Sequence, residues 1–425
     1  MRKPDAIWCK PSFIVLWVGS FLSALADGVY YIVLAWFVLH LTHSAAELGT
    51  ALFLAAMPRL IFMTIGGVAI DRVNPKIIML ISLLARAGIL VGVEQSVLNG
   101  LSHIIPIDIM PLLFGVVDAF YWPTQNTIVP YVVESDALIR ANALVQTSQQ
   151  LSMVVGPLLA GMLLIQMPHF TAIFIVIAII YGIAGLFMAR VDVSPATESK
   201  KAARASIYAD LMGGFRYVFR VRILLFLMLA SMLINLFFMG PANIGLPSFV
   251  QEHGWSGAVY GYFESALGLG AVVGGILVGL FKGFRGHFRW IALTASGIGM
   301  GLVATSIVST WTLGVMCFGM AGVAMSLTDI PIITYVQTIV DKKMLGRVMS
   351  LLTFMSVGLT PVSYMLSAFA LHNHWLSPQT LMFMGGTIVA IFCAALIGQR
   401  DFRTMELHPA WQEVLTGQNN QEIDI

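Results

Sequence analysis

The sequence predicts an all-α membrane protein of twelve transmembrane helices in two pseudo-symmetric six-helix bundles. Three observations predict it. Of 425 residues, 58% are apolar and only 10% charged, with a mean hydropathy of +0.87, too greasy for a soluble domain of this length. The apolar residues fall in runs near the roughly 20 residues that a spanning helix needs. The chain also repeats itself. Gly66-Gly67 and Gly274-Gly275 stand 208 positions apart, as do Pro123 and Pro331, while Ala141–Leu144 leading to Gly156-Pro157 matches Leu345–Val348 leading to Thr360-Pro361 at an offset of 204.

Helix 1 is expected near 13–40. Arg2, Lys3 and Lys10 precede it and Ala24-Leu25-Ala26 imitates a signal-peptidase site. The apolar run nevertheless continues from Val29 to Leu41, past the about 7 to 15 residues of a signal h-region, so a retained first span is expected. Polar, Gly/Pro or charged clusters then separate spans near 47–70, 76–98, 105–130, 140–165 and 170–190, completing a first bundle over 1–190. The central loop, 191–221, carries Glu198, Lys200, Lys201, Arg204, Arg216 and Arg220, with Arg222 at its edge. A second bundle over 222–400 follows, with spans near 222–250, 257–281, 290–307, 312–336, 347–371 and 379–398, and a polar tail over 401–425.

Orientation follows from the basic residues. The loops near 41–47, 99–108, 166–170, 251–257, 308–312 and 371–379 contain no Lys or Arg, and every Lys and Arg except Arg59 and Arg86 falls in the opposite set of loops and tails. Positive charge stays on the cytoplasmic side during insertion, so both termini, the central loop and the tail are expected to be cytoplasmic, in the inner membrane of the cell.

Ionisable side chains within spans are costly and default to functional hypotheses. Here they are Asp27, Arg59, Arg86, Asp118, Glu264 and Asp329. Ser20, Ser23, Asp27 and Tyr31 recur at helical spacing on helix 1, a polar stripe suited to a cavity wall. Asp27 can carry a proton there; the alternative is a permanent ion pair with Arg59 or Arg86 that only fixes packing. Glu264 has no basic neighbour in its half and is the second candidate for proton coupling. Asp118 and Asp329 precede Pro123 and Pro331 and can line a path, Asp329 also as a gate. Arg59 is expected to neutralise an acid. Gln146, Gln150, Asn235 and Asn243 add polar positions that either meet cargo or glue helices together. The span acids outnumber Arg59 and Arg86, which favours neutral or cationic amphiphilic cargo.

Other chemistries find no footing. Cys9, Cys317 and Cys393 have no metal or disulfide spacing and are read as packing residues. Six of the nine His fall in the loops assigned outside, and His372-Asn373-His374 is a weak metal or pH-sensing pattern. No Walker loop or GxSxG elbow is present, so neither an ATP-driven pump nor an esterase is expected, and no enzyme activity or cofactor is implied.

The stretch GGVAIDRVNPK, Gly66 to Lys76, resembles the loop signature of the major facilitator superfamily. The resemblance implies that Gly67 permits close helix contact and that Asp71 and Arg72 form a cytoplasmic latch. Asn74 and Pro75 stand where the family has Gly and a basic residue; Asn tolerates a left-handed turn. The stretches Ala26–Gly49, Met57–Phe62, Phe120–Leu144, Val154–Gly161, Asp329–Leu351 and Gly358–Pro361 are similar to the macrolide-efflux and enterobactin-exporter-like branch, over about residues 12–400. Gly156-Pro157 with Gly161 resembles the helix-5 antiporter motif, for which LGLGAVVGG in helix 8 offers a matching small face.

The resemblance implies the major facilitator fold and drug-like, multidrug-type efflux by proton antiport through alternating access. Siderophore or lysophospholipid export is the alternative within transport, and a non-transporting receptor on the same fold the alternative of another class. The partners implied are small-molecule cargo, protons and the lipid bilayer, without nucleic acid, around a monomeric carrier.

Overall fold

Within a bilayer, backbone amides must be satisfied inside their own segment, and helices do this for a chain of this pattern. The computed structural model describes residues 10–98, 105–134, 137–167, 169–193, 216–280, 288–341, 344–397 and 411, with backbone alone for 63–72, 94–98, 105–106, 126, 139, 288–289, 346 and 350. The first helices are α1 (Pro11–Thr42), α2 (Ala45–Arg72), α3 (Pro75–Leu98), α4 (Met110–Thr127), α5 (Leu138–Gln166) and α6 (Phe170–Ala189). They are followed by α7 (Arg222–Glu252), α8 (Gly257–Leu280), α9 (Phe288–Ile307), α10 (Trp311–Ile339), α11 in two segments (Leu345–Gly358 and Thr360–His372) and α12 (Pro378–Leu396). Among the described residues, eleven helices are long and apolar enough to cross a membrane. The twelfth, α4, falls outside that set, with Asp118 and the run Thr124–Thr127 within its 18 residues.

Local chemistry sets several boundaries. Asn74 Oδ1 accepts the Lys76 amide at 2.9 Å and Pro75 opens α3, so Asn74 acts as a helix cap. It does not supply the left-handed turn expected of it: among the described residues, the non-glycine residues at positive φ are His43 and His374. His43, at φ 50, ends α1. Ser377 caps α12 by accepting the Thr380 amide, with Pro378 at its first turn. A π-turn at Pro241–Gly245 interrupts α7. Beside it Ser363 Oγ accepts the Gly240 amide at 2.7 Å and donates to the Leu236 carbonyl at 2.5 Å, meeting groups that the irregular backbone strands.

Two compact units result. The first holds Met1–Ala203 with Val250–Ser265 and Ala368–Asn373; the second holds Arg204–Phe249, Ala266–Ser367 and His374–Ile425. In the first, α1 packs on α5 and α6, α2 on α4, and α3 on α4 and α6. In the second, α7 packs on α11 and α12, and α9 on α10 and α12, while α8 meets α10 through Gly270 and Gly274 against Gly319 and Val323. Adding six to each helix number of the first scheme yields the second. The sequence repeat is thus a repeat of packing.

Small residues set the closest approaches, as expected where no hydrophobic force separates helix from lipid. A Cβ on Gly115 would fall 2.2 Å from the Ala55 carbonyl oxygen, fixing α4 on α2. Gly28 and Gly156 meet backbone to backbone where α1 crosses α5. Gly161 lies against Ala258, and Gly261 against Pro157 and Gly161, while Ser265 donates to the Val154 carbonyl at 2.9 Å. The small face that meets α5 is therefore Ala258, Gly261 and Ser265. The LGLGAVVGG stretch proposed for that role instead packs on α10, because its glycines lie farther along α8.

Candidate functional site

The first unit buries a charged cluster built from four helices. α1 supplies Ser23 and Asp27, α3 Arg86, α4 Asp118 and Tyr121, and α6 Tyr181. The Arg86 side chain has 0% exposure, Asp118 5% and Asp27 24%. Arg86 divides its guanidinium between the two acids: Nη1 donates to Asp27 Oδ1 at 3.1 Å, and Nη2 donates to Asp118 Oδ1. Nη1 also reaches Ser23 Oγ at 3.4 Å. Tyr181 donates to Asp27 Oδ1 at 2.5 Å, and Tyr31 to Asp118 Oδ2 at 2.9 Å. The guanidinium lies over the Tyr121 ring at 4.3 Å and faces that of Tyr181 at 5.5 Å.

The charge count of this cluster matters more than any one contact. Two carboxylates share one guanidinium, so with both acids ionised the buried group carries one net negative charge, and one proton neutralises it. Arginine presents these donors in a rigid planar fork, which the point-like ammonium of lysine does not. Asp27 is the more accessible acid. The polar stripe of α1 faces this cluster through Ser23, which is buried along with Ser20.

Arg59 is placed differently. Its guanidinium lies 4.5 Å from the centroid of Trp122 on α4. Its charge acts on Asp27 and Tyr31 over a longer range, but Arg86 is the residue that pairs with the acids. Glu264, half-buried on α8, and Asp329, exposed on α10, make no hydrogen bond or ion pair among the described residues. Gln146 and Gln150 are exposed on α5. Asn235 and Asn243 each donate at 2.9 Å to a carbonyl one turn earlier on α7, Ser231 and Met239. The side chains of Asp71 and Arg72, and the surroundings of Gly67, lie outside the described residues. Among the described residues, no group of three or more His, Cys, Asp or Glu side chains could hold a metal ion.

Sequence reasoning did not single out Tyr181, Tyr121 or Trp122. Tyr181 had a signal: with Thr171 it is the only residue of α6 with a polar side chain, and a buried tyrosine hydroxyl needs a partner.

Comparisons with known proteins agree with this architecture. The chain is 24% identical over 406 residues to macrolide efflux protein A of Streptococcus pyogenes, covering 91% of this chain and 95% of that protein. It is 24% identical over 355 residues to the enterobactin exporter EntS of Escherichia coli O1:K1 / APEC, covering 82% of each. The fold superposes on the crystal structure of the nucleoside transporter NupG with a TM-score of 0.72 at 14% identity, covering 93% of this chain and 99% of that one. It superposes on a bacterial homolog of the human lysosomal transporter Spinster with a TM-score of 0.68 at 14% identity, covering 97% and 99%. The family model described as Major Facilitator Superfamily matches residues 16–360. Spanning helices, a packing scheme used twice and a match over most of the sequence lead to one assignment: the chain is a multi-pass membrane transporter of the major facilitator superfamily.

Proposed function

We propose that this transporter exports a small amphiphilic, drug-like molecule by alternating access, driven by proton antiport, with Asp27 as the proton carrier. The observation that carries the reading is the shared guanidinium. A buried cluster holding one net negative charge takes up one proton at little electrostatic cost, and Asp27 is its more accessible acid. Tyr181 can remain hydrogen-bonded to the carboxyl group in either protonation state, because a hydroxyl both donates and accepts. Arg86 and Asp118 hold the rest of the cluster in register, and Glu264 is the second candidate for coupling.

The efflux names of the curated relatives support the direction of transport. Tyr31, Asp118, Gln146 and Gln150 are proposed to meet cargo on the first unit, and Asn235 and Asn243 on the second. Asp71, Arg72 and Asp329 are proposed as gating groups, and Gly67, Gly156, Pro157 and Gly161 as the small positions that let helices close. Both termini are assigned to the cytoplasm.

The test is efflux from proteoliposomes under an imposed pH gradient, comparing the wild type with Asp27→Asn. Gradient-driven flux that disappears in the variant, with insertion unchanged, supports the reading. Equal flux in both would make Asp27 structural.

A further inference from the structure

We infer that Arg59 and Trp122 form a cargo subsite for a negatively charged group attached to a flat apolar ring, so that the preferred cargo is an aromatic anion. The inference deepens the export reading and rests on it. The span acids outnumber the span arginines, which by count favours cationic cargo; the geometry changes that balance. Asp27 and Asp118 already accept hydrogen bonds from Arg86 and from two tyrosine hydroxyls, so their charge is partly met within the fold. Arg59, by contrast, makes no ion pair or hydrogen bond among the described residues, and lies with its guanidinium 4.5 Å from the Trp122 ring centroid.

A guanidinium without an anion is costly inside a span unless it faces water or a ligand. Arg59 is half-buried and Trp122 is 37% exposed, so both remain accessible. Trp122 follows Asp118 by one helical turn, which places the ring on the face of α4 that carries the charged cluster. The α2–α4 contact at Ala55 and Gly115 fixes the two helices side by side. An arginine on an aromatic plate offers two forms of recognition: in-plane N–H donors for a carboxylate, phenolate or phosphate, and apolar area for the attached ring.

Equilibrium binding to the full chain in lipid nanodiscs tests this without requiring transport. The probes are 2-naphthoate, 2-naphthylmethanol and 2-naphthylmethylammonium, equal in ring and different in charge. The expected result is saturable binding of 2-naphthoate about tenfold or more tighter than of the ammonium, as charge-assisted hydrogen bonds imply. Arg59→Gln should abolish that preference and Arg59→Lys retain part of it; Trp122→Leu should weaken 2-naphthoate. If Arg59→Gln does not insert as a monodisperse protein, the Lys and Leu variants carry the same comparison. An unchanged preference in these variants, or none in the wild type, overturns the inference. A lipid phosphate is the other source of the same chemistry. If Arg59→Gln changes phosphatidylglycerol retention in native mass spectrometry but leaves 2-naphthoate binding intact, Arg59 is a lipid site and the cargo subsite is refuted. Failure of Asp27-dependent flux with naphthoate binding preserved would instead refute proton coupling alone.

Discussion

Arg86→Leu tests whether the buried cluster works as a unit of charge. In the wild type the cluster sums to one net negative charge with both acids ionised, and Arg86 is its cation, fully buried on α3. Removing one partner of a buried pair costs about 3–5 kcal/mol, because the other charge is left uncompensated. Most of that cost should fall on Asp118, whose side chain is 5% exposed, and less on Asp27 at 24%. At 1.4 kcal/mol per decade, the folding constant should fall roughly a hundredfold to a few thousandfold. Replacing the acids as well should reverse the loss, since exchanging a whole buried pair for uncharged residues is often neutral. Asn at 27 and 118 keeps an acceptor for Tyr181 and Tyr31. The expected order of stability is wild type, then Asp27→Asn/Asp118→Asn/Arg86→Leu, then Asp27→Asn/Arg86→Leu, then Arg86→Leu alone. Equilibrium unfolding by sodium dodecyl sulfate in mixed micelles, followed by tryptophan fluorescence, reads that order. A triple variant no more stable than Arg86→Leu would refute the charge argument and leave lost packing against Tyr121 and Tyr181 as the cause.

Three further outcomes follow from the same geometry. Asp27→Asn should lose nearly all gradient-driven flux while its unfolding midpoint stays close to the wild-type value, because Arg86 keeps Asp118 as a counter-ion; flux and unfolding are measured on one preparation. Gly115→Val should destabilise by about 1–3 kcal/mol through overpacking, since even a Cβ at this position would meet the Ala55 carbonyl oxygen at 2.2 Å, and the same titration detects it. Ser363→Ala should cost about 1–3 kcal/mol by leaving the Gly240 amide without its acceptor next to the π-turn, and hydrogen exchange at Gly240 should speed up.

What the sequence made legible, and what it did not, divides along one physical line. Properties that depend on local periodicity could be read directly: spans appear as apolar runs, and the offsets of 208 and 204 reappear as one packing scheme used twice. Choices among several partners, by contrast, depend on how helices rotate about their axes, and this chain's helices are apolar on nearly every face. Asp27 could have paired with Arg59 or Arg86; Arg86 takes it, and Arg59 is left on Trp122. For the same reason the glycines of LGLGAVVGG suited α5 by composition, yet Ala258, Gly261 and Ser265, a few residues earlier on α8, make that contact. A glycine indicates that something approaches closely but not which helix does so. An intramembrane arginine similarly implies an anion without identifying it. Arg86 finds two within the fold. Arg59 makes no ion pair among the described residues and lies against the exposed indole of Trp122, and that contrast is the ground on which cargo is proposed to supply its anion.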